Sequence, residues 1–397
     1  MVVVTPLMWK ALARSHTFSA YLWINPVDFS GTDGKLIYND VPLTKLKFWI
    51  ISNMTLFIAL FLPSITIILA QLFGLVSIPL TNLMVLGIIV LMSGYGCLMA
   101  IVLISSLGVR LVSAFNHLHD LNTRLTLESW ISPLPKQFDF IGISLNNHVL
   151  LCAIYPYFIT IFLLRTEMDP IFLFLQILFT DSSEISTNLI ILSFRLLFIV
   201  FAWLEFFRYC SNSFCGLIVG AHLILSIISW LQKSAPQIFL GKHISSHILQ
   251  KYDTLRSILN IMHDPISVCV ATVMFSGFVG CISINFATLK MYDVIPMPLY
   301  LTFPVLGVVI PTFIHIMMPM MIAVYEGAVV LQRKWGRALG LSKDVKYLKR
   351  KLRAEKAVRI YSGVFGYELY FVRNSTKSTY QYVIVGHTIS ALMSVSA

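Results

Sequence analysis

Seven separate stretches of this chain stay largely apolar for about 20 residues, the length a helix needs to cross the hydrocarbon of a bilayer. They lie near 49 to 74, 80 to 107, 146 to 165, 188 to 210, 266 to 288, 300 to 324 and 378 to 396. Lipid offers no partner for a free N–H or C=O, so such stretches form helices, and the pattern predicts an all-α integral membrane protein with seven transmembrane helices. Composition agrees: with 57% hydrophobic and 12% charged residues in 397, the chain has more apolar surface than a water-bounded core can enclose.

The spans are ordered by their punctuation. Gly74 and Pro79 separate the first two, which predicts a tight helical hairpin. The fourth keeps its helical pattern through "FRYCSNSFCGLIVGAHLILSIISWLQ" to about Gln232, roughly 60 Å of helix at 1.5 Å per residue and twice the bilayer core. Either this helix projects from the membrane or an eighth span hides near 211 to 231. Charge decides. With seven spans, almost all of the 29 Lys and Arg fall on one side, in the N-terminal segment, the 108 to 145, 207 to 265 and 325 to 377 intervals. The opposite side keeps only Lys290 outside a span, and the 166 to 187 loop carries Glu167, Asp169, Asp181 and Glu184 without a cation. The positive-inside rule then sets the N-terminus in the cytosol and the C-terminus outside, and an eighth span would expel the most basic interval. The expected organisation is a cytosolic segment at 1–48, six spans with cytosolic extensions at 49–331, a basic anchor region at 332–377 and a seventh span at 378–397. "MVVVTPLMWKALARSH" lacks a signal-peptide pattern, so the first span is expected to direct its own insertion.

Several function classes fall away. A net charge of +11 suggests nucleic acid, but these cations sit between long apolar runs rather than on a polar folded face, so no nucleic-acid partner is expected. No phosphate loop, zinc motif or nucleophile elbow occurs, so neither enzyme activity nor a cofactor is expected. Cys97, Cys152, Cys210, Cys215, Cys269 and Cys281 have no metal-ligand spacing, and His243 with His247 lack a third ligand. A G-protein-coupled receptor has the reverse orientation; here the last span has no Asn-Pro-x-x-Tyr and no cysteine stands at the outer end of the third. "EFFRY" at 205 to 209 follows the fourth span, and Glu205 and Arg208 read as an i, i+3 ion pair.

Polar groups inside spans carry the remaining signal. Arg195, about two turns inside the outer end of the fourth span, either pairs with an acidic group of the outer loop or holds a polar ligand. His315 sits between Pro311 and Pro319 in a span rich in methionine (Met317, Met318, Met320, Met321), an adaptable lining or ordinary core. In the basic interval, Val345, Leu348, Leu352, Val358 and Ile360 recur at near-helical spacing, which suits an amphipathic helix on anionic lipid or a packing helix between subunits.

The last span opens with Thr379 and Tyr380, continues "QYVIV" through 381 to 385, and places Gly386 and His387 next. Thr-Tyr at this spacing, seven spans with the N-terminus inside and a long fourth helix resemble the insect odorant and gustatory receptor superfamily, as a divergent gustatory-type member. Gustatory members carry Gln-Phe where Gly386 and His387 stand. The resemblance implies a homotetrameric or heterotetrameric, ligand-gated, non-selective cation channel of the plasma membrane, with the last span lining the pore. It implies a hydrophobic gate at Val383, a second constriction at His387 and a face continued by Ser390 and Ser394. A polar stripe beside an apolar ring suits a pore that closes by dewetting, and an imidazole there makes conductance sensitive to external pH. It further implies a pocket for a small organic ligand in the outer half, with candidates Met84, Met92, Tyr155, Phe158, Phe162, Arg195, Phe198 and Phe303. The rival readings are a seven-span transporter, for which no inverted repeat is visible, and a membrane receptor without its own pore, including one coupled to G proteins.

Overall fold

The computed structural model describes residues 4–30, 34–39, 44–128, 139–179, 189–236, 242–293, 297–339, 350, 353–354, 356–364 and 366–394. Helix α1, Pro6–Ser19, begins where Thr5 accepts the Met8 amide at 3.3 Å and proline takes a position whose N–H has no helical partner anyway. An antiparallel hairpin follows, β1 Val27–Ser30 and β2 Lys35–Tyr38. The first span, α2, runs Lys47–Leu72 with a π-helical stretch at Leu56–Phe61 just before Pro63. The wider turn accommodates a proline that has no N–H to give the preceding turn.

Gly74, at φ +69°, turns the chain out of α2, and the Gln71 side chain accepts the Ile78 amide at 2.8 Å, so α3, Leu80–Ile104, returns at once. This is the hairpin expected from Gly74 and Pro79. Beyond Ser105 the chain continues as α4, Ser106–Glu128. Then come α5 Phe140–Arg165, α6 Pro170–Leu178, α7 Leu189–Ser234, α8 Lys242–Lys290 and α9 Thr302–Leu339. A second hairpin, β3 Tyr361–Val364 and β4 Tyr367–Phe371, precedes α10, Asn374–Ser394. The protein is an all-α multi-pass membrane protein with two small hairpins.

Among the described residues, six helices are long and apolar enough to cross a membrane. The last, α10, is long enough but carries Ser378, Thr379, His387, Ser390 and Ser394 along its length, and falls below that apolarity. A helix with one face on water does not need a fully apolar circumference.

Helix α7 is the axis of the fold. Its 46 residues span about 70 Å, and its second half is enclosed by protein: Cys215, Val219, Leu223, Ile227 and Leu231 have no exposed surface. Helices α1, α4, α8 and α9 pack around it. The apolar run at 211 to 231 is therefore a core helix, not an eighth span.

Three expectations need correction. The 108–145 and 207–265 intervals, read as loops, are helical over most of their described residues, in α4, α5, α7 and α8, whereas in 325–377 helix α9 runs to Leu339 and the β3–β4 hairpin lies further on. The 166–187 loop contains α6, started by Asp169, whose side chain accepts the Phe172 amide at 2.9 Å. Finally, Val358 and Ile360 do not continue a helix. Val358, Ile360 and Ser362 are buried while Arg359 between the first two is exposed, a period of two that leads into β3. Arg359 lies over Tyr325 and Phe371 at 5.5 and 4.9 Å, pinning the hairpin to α9. Val345, Leu348 and Leu352 lie outside the described residues.

Candidate functional site

Helices α3, α5, α7, α8 and α9 are apolar on several faces at once and do not close completely where they meet. Two communicating chambers remain, in the half of the bundle away from the N-terminal segment and toward its middle. The smaller, about 60 Å³, is bounded by Met92, Tyr155, Phe158, Phe162, Trp203 and Phe303. The larger, about 190 Å³, shares Ile88, Met92, Tyr155, Ile284 and Leu306 with it and descends to Met317, Met318 and Met321. Apolar walls with few polar groups are the ordinary character of sites for small organic molecules.

The polar groups are sparse and specific. The Tyr95 and Tyr155 hydroxyls are buried without a hydrogen-bond partner of normal geometry, and both residues line the larger chamber. Ser213 lies near the first and Thr302 near the second. His148, on the same chamber wall, is held by Phe214 and Phe313 at ring distances of 5.0 and 4.4 Å and has Cys152 Sγ at 3.5 Å from Nε2. Ser276 completes the set.

Five of the residues expected at a ligand pocket, Met92, Tyr155, Phe158, Phe162 and Phe303, come together on the smaller chamber. Met84, Arg195 and Phe198 line neither chamber. Arg195 is consumed elsewhere: its guanidinium is bonded to the Asp169 carboxylate, its charge lies over the Phe172 ring at 4.7 Å, and both ionic side chains are almost wholly buried. Phe198 packs on Phe194 with the rings tilted and their centroids 4.1 Å apart, and Met84 packs half-buried on the core. Sequence reasoning did not single out His148 or Tyr95. The signal for His148 was the i, i+4, i+7 series His148, Cys152, Tyr155, which puts three groups with polar atoms on one face of an otherwise apolar helix; Tyr95, on α3, had no such series.

The last helix sits directly behind this cavity. One side of α8 contributes Val273, Met274, Gly277, Gly280 and Ile284 to the larger chamber. Helix α10 packs on α8 and α9, and the Tyr380 hydroxyl donates to the Met274 carbonyl at 2.7 Å. Gly277 makes room for it: a Cβ there would stand 3.2 Å from that hydroxyl. Half-buried Tyr380 and Ile384 and buried Thr388 form the face of α10 turned to the bundle. Among the described residues, two other faces are exposed or half-exposed. One is apolar and exposed, with Tyr382, Val385, Ile389 and Met393. The other combines Thr379, Val383, Gly386, His387, Ser390 and Ser394 and is small and mostly polar. On it His387 folds back along the helix, Nδ1 lying 2.9 Å from the Val383 carbonyl, with Phe278 at 5.6 Å.

No metal-holding group of His, Cys, Asp or Glu occurs among the described residues. No protein-family model and no curated protein sequence matches the chain. Its fold is similar to solved structures of the insect olfactory receptor OR5 from Machilis hrabei. The complex of that receptor with eugenol has a TM-score of 0.63 at 13% identity, covering 98% of this chain and 99% of the other. A further structure of the same receptor has a TM-score of 0.65 at 13% identity, covering 97% and 98%.

Proposed function

We propose that this chain, which has the fold of the insect olfactory receptors, is a chemosensory receptor of the plasma membrane acting as a ligand-gated, non-selective cation channel. A small organic molecule occupies the paired chambers, as eugenol is bound by the structural neighbour, and the last helices of four copies surround the pore. The observation that carries this reading is the double role of α8 between Val273 and Ile284. One stretch of helix is both a wall of the chamber and, through the Met274 carbonyl, the seat of Tyr380 on the last helix. An occupant that displaces this wall moves α10 with it.

The faces of α10 fit the same reading. The small polar face of Thr379, Val383, Gly386, His387, Ser390 and Ser394 borders water, with Val383 as the apolar ring that closes the pore. The apolar face of Tyr382, Val385, Ile389 and Met393 meets a neighbouring copy or lipid. The absence of any Lys, Arg, Asp or Glu after Lys377 leaves the exit free of a barrier to cations. The N-terminus and the basic region before α10 are assigned to the cytosol by the positive-inside rule. A gustatory rather than odorant role rests on the Thr379-Tyr380 spacing alone.

The test is electrical. In cells expressing the chain, alone and with a related subunit, small aromatic and aliphatic odorants should evoke a cation current. Val383→Lys should abolish it and His387→Ala should change its ion selectivity, while surface expression stays unchanged. Ligand-evoked current with the same selectivity in both variants would place the permeation path elsewhere and favour a receptor acting through another channel.

A further inference from the structure

A third cavity, about 130 Å³, lies at the opposite end of the bundle and shares only Met317 and Met321 with the chambers above. It is enclosed by α1, the β1–β2 hairpin and helices α3, α4, α7, α8 and α9. Its inner end is apolar, and Met99, Leu103, Ile218, Val270, Met317 and Met321 there are all buried. Its other end is polar and partly open, where His16 Nδ1 stands 3.9 Å from Asp28 Oδ1 with both side chains about a third exposed.

Two features mark this as a site rather than a packing gap. Asn25 is only 3% exposed and lines the cavity, yet its side-chain oxygen has no hydrogen-bond partner among the described residues, although its amide nitrogen donates to the Val27 carbonyl at 3.0 Å. A buried acceptor left without a donor is unfavourable, and a bound donor relieves that penalty. Further in, Gly216 and Gly220 on α7 face the cavity in regular helix, and a Cβ built at either meets nothing within 4 Å. The space there is kept by the lack of a side chain.

We propose that this cavity binds a small amphiphile with a ring-sized apolar body and a hydrogen-bond-donating head, a hydroxyl or an amine. The volume is close to that of engineered apolar cavities that take up a single aromatic ring. The body rests among the methionines, whose flexible thioethers adapt to an irregular guest. An amine head donates to both the Asn25 oxygen and Asp28 and a hydroxyl to one of them; the other Asp28 oxygen already accepts from the Asn39 side chain at 2.7 Å. Two acceptors and one carboxylate charge exclude an acidic head. Because the occupant would bridge the N-terminal segment and the long helices, it is placed to modulate the receptor from the side opposite the odorant chambers.

The test uses the full chain in lipid nanodiscs with diazirine derivatives of benzyl alcohol, benzylamine and benzoate, mapped by peptide mass spectrometry. Its readout is labelling, not current, so it stands apart from the channel assignment. The alcohol and amine should label peptides holding Met262 and Met320, saturably against unlabelled benzyl alcohol, and benzoate should not. Gly216→Leu and, as a milder filling, Gly220→Ala should reduce that labelling, about tenfold for the leucine, while labelling near Tyr155 and the thermal midpoint hold. Asp28→Asn should weaken the amine more than the alcohol. Equal labelling by benzoate, or labelling indifferent to both glycine substitutions, would overturn the proposal.

Discussion

A charged side chain inside a membrane helix is stable only with a partner, and Arg195 shows how completely this chain supplies one. Asp169 gives its carboxylate to Arg195 and to the Phe172 amide, and Phe172 in turn faces the guanidinium. Removing one member leaves the other buried and uncompensated, a loss of about 3 to 5 kcal/mol. Asp169→Ala should therefore lower the thermal midpoint in nanodiscs sharply, and Asp169→Ala combined with Arg195→Met should recover much of the loss. A second buried cluster repeats the logic at the inner boundary. Arg208 bonds Glu205 at 2.7 Å, as the i, i+3 spacing implied, but the structure adds Trp23, which donates to Glu205 at 2.8 Å and accepts from Arg208 at 2.9 Å.

His119 on α4 makes a pH prediction at the same scale. Burial holds its imidazole below the usual range, the adjacent Asp120 pulls it back up, and Lys35 lowers it further. The ring therefore binds its proton less readily folded than unfolded. Its contribution to stability is complete above the unfolded value of about 6.5 and is lost as pH falls through the folded value. The Trp9 ring stands edge-on to it at 5.1 Å, so the site joins α1 to α4. Unfolding midpoints measured from about pH 8 to pH 5 should fall more for the wild type than for His119→Phe.

At the scale of elements, the last helix is held by few contacts for its length, and one of them is a single hydrogen bond. Tyr380→Phe removes the donor to Met274 while keeping the ring against Phe278, which lies at 6.1 Å. A net loss of about 1 kcal/mol is expected, and hydrogen exchange across 374–394 should quicken selectively. Under the proposed gating, ligand-evoked current should also shift in its ligand dependence, because the same bond ties α10 to the chamber wall. The helices themselves were legible where the chain is uniformly apolar or keeps a period of 3.6, as in α7. The β3–β4 hairpin was not, since the alternation Val358, Ile360, Ser362 is too short to stand out beside a basic run with helical spacing.

For the whole molecule, the proposed four-copy assembly sets the exposed apolar face of α10 against a neighbouring copy. Single cysteines at Ile389 and Met393, in a background without native reactive thiols, should cross-link between copies, and the cross-linked ladder should end at four. A ladder ending at two would remove the central pore. Topology gives an independent check. On the orientation proposed from the positive-inside rule, the Asn374-Ser375-Thr376 acceptor site lies in the cytosol and should remain unglycosylated in a eukaryotic membrane. Glycosylation there would invert the bundle and place the chambers on the inner side.

Six of the seven expected apolar spans, the turn at Gly74 and the long helical run of α7 were determined by the sequence alone. Lipid solvation acts on each residue separately, and helix formation depends on neighbours a few positions away, so both can be summed along the chain. The candidate site divides along the same line. Met92, Tyr155, Phe158, Phe162 and Phe303 could be nominated because the resemblance implied a ligand pocket in the outer half of the spans, where these aromatic and methionine side chains lie. That they share one chamber, that Arg195 turns instead to Asp169, and that Tyr95 and His148 join them was decided only by tertiary structure. Those outcomes depend on which helices cross and at what height, and burial between residues far apart in sequence has no local period from which to read it.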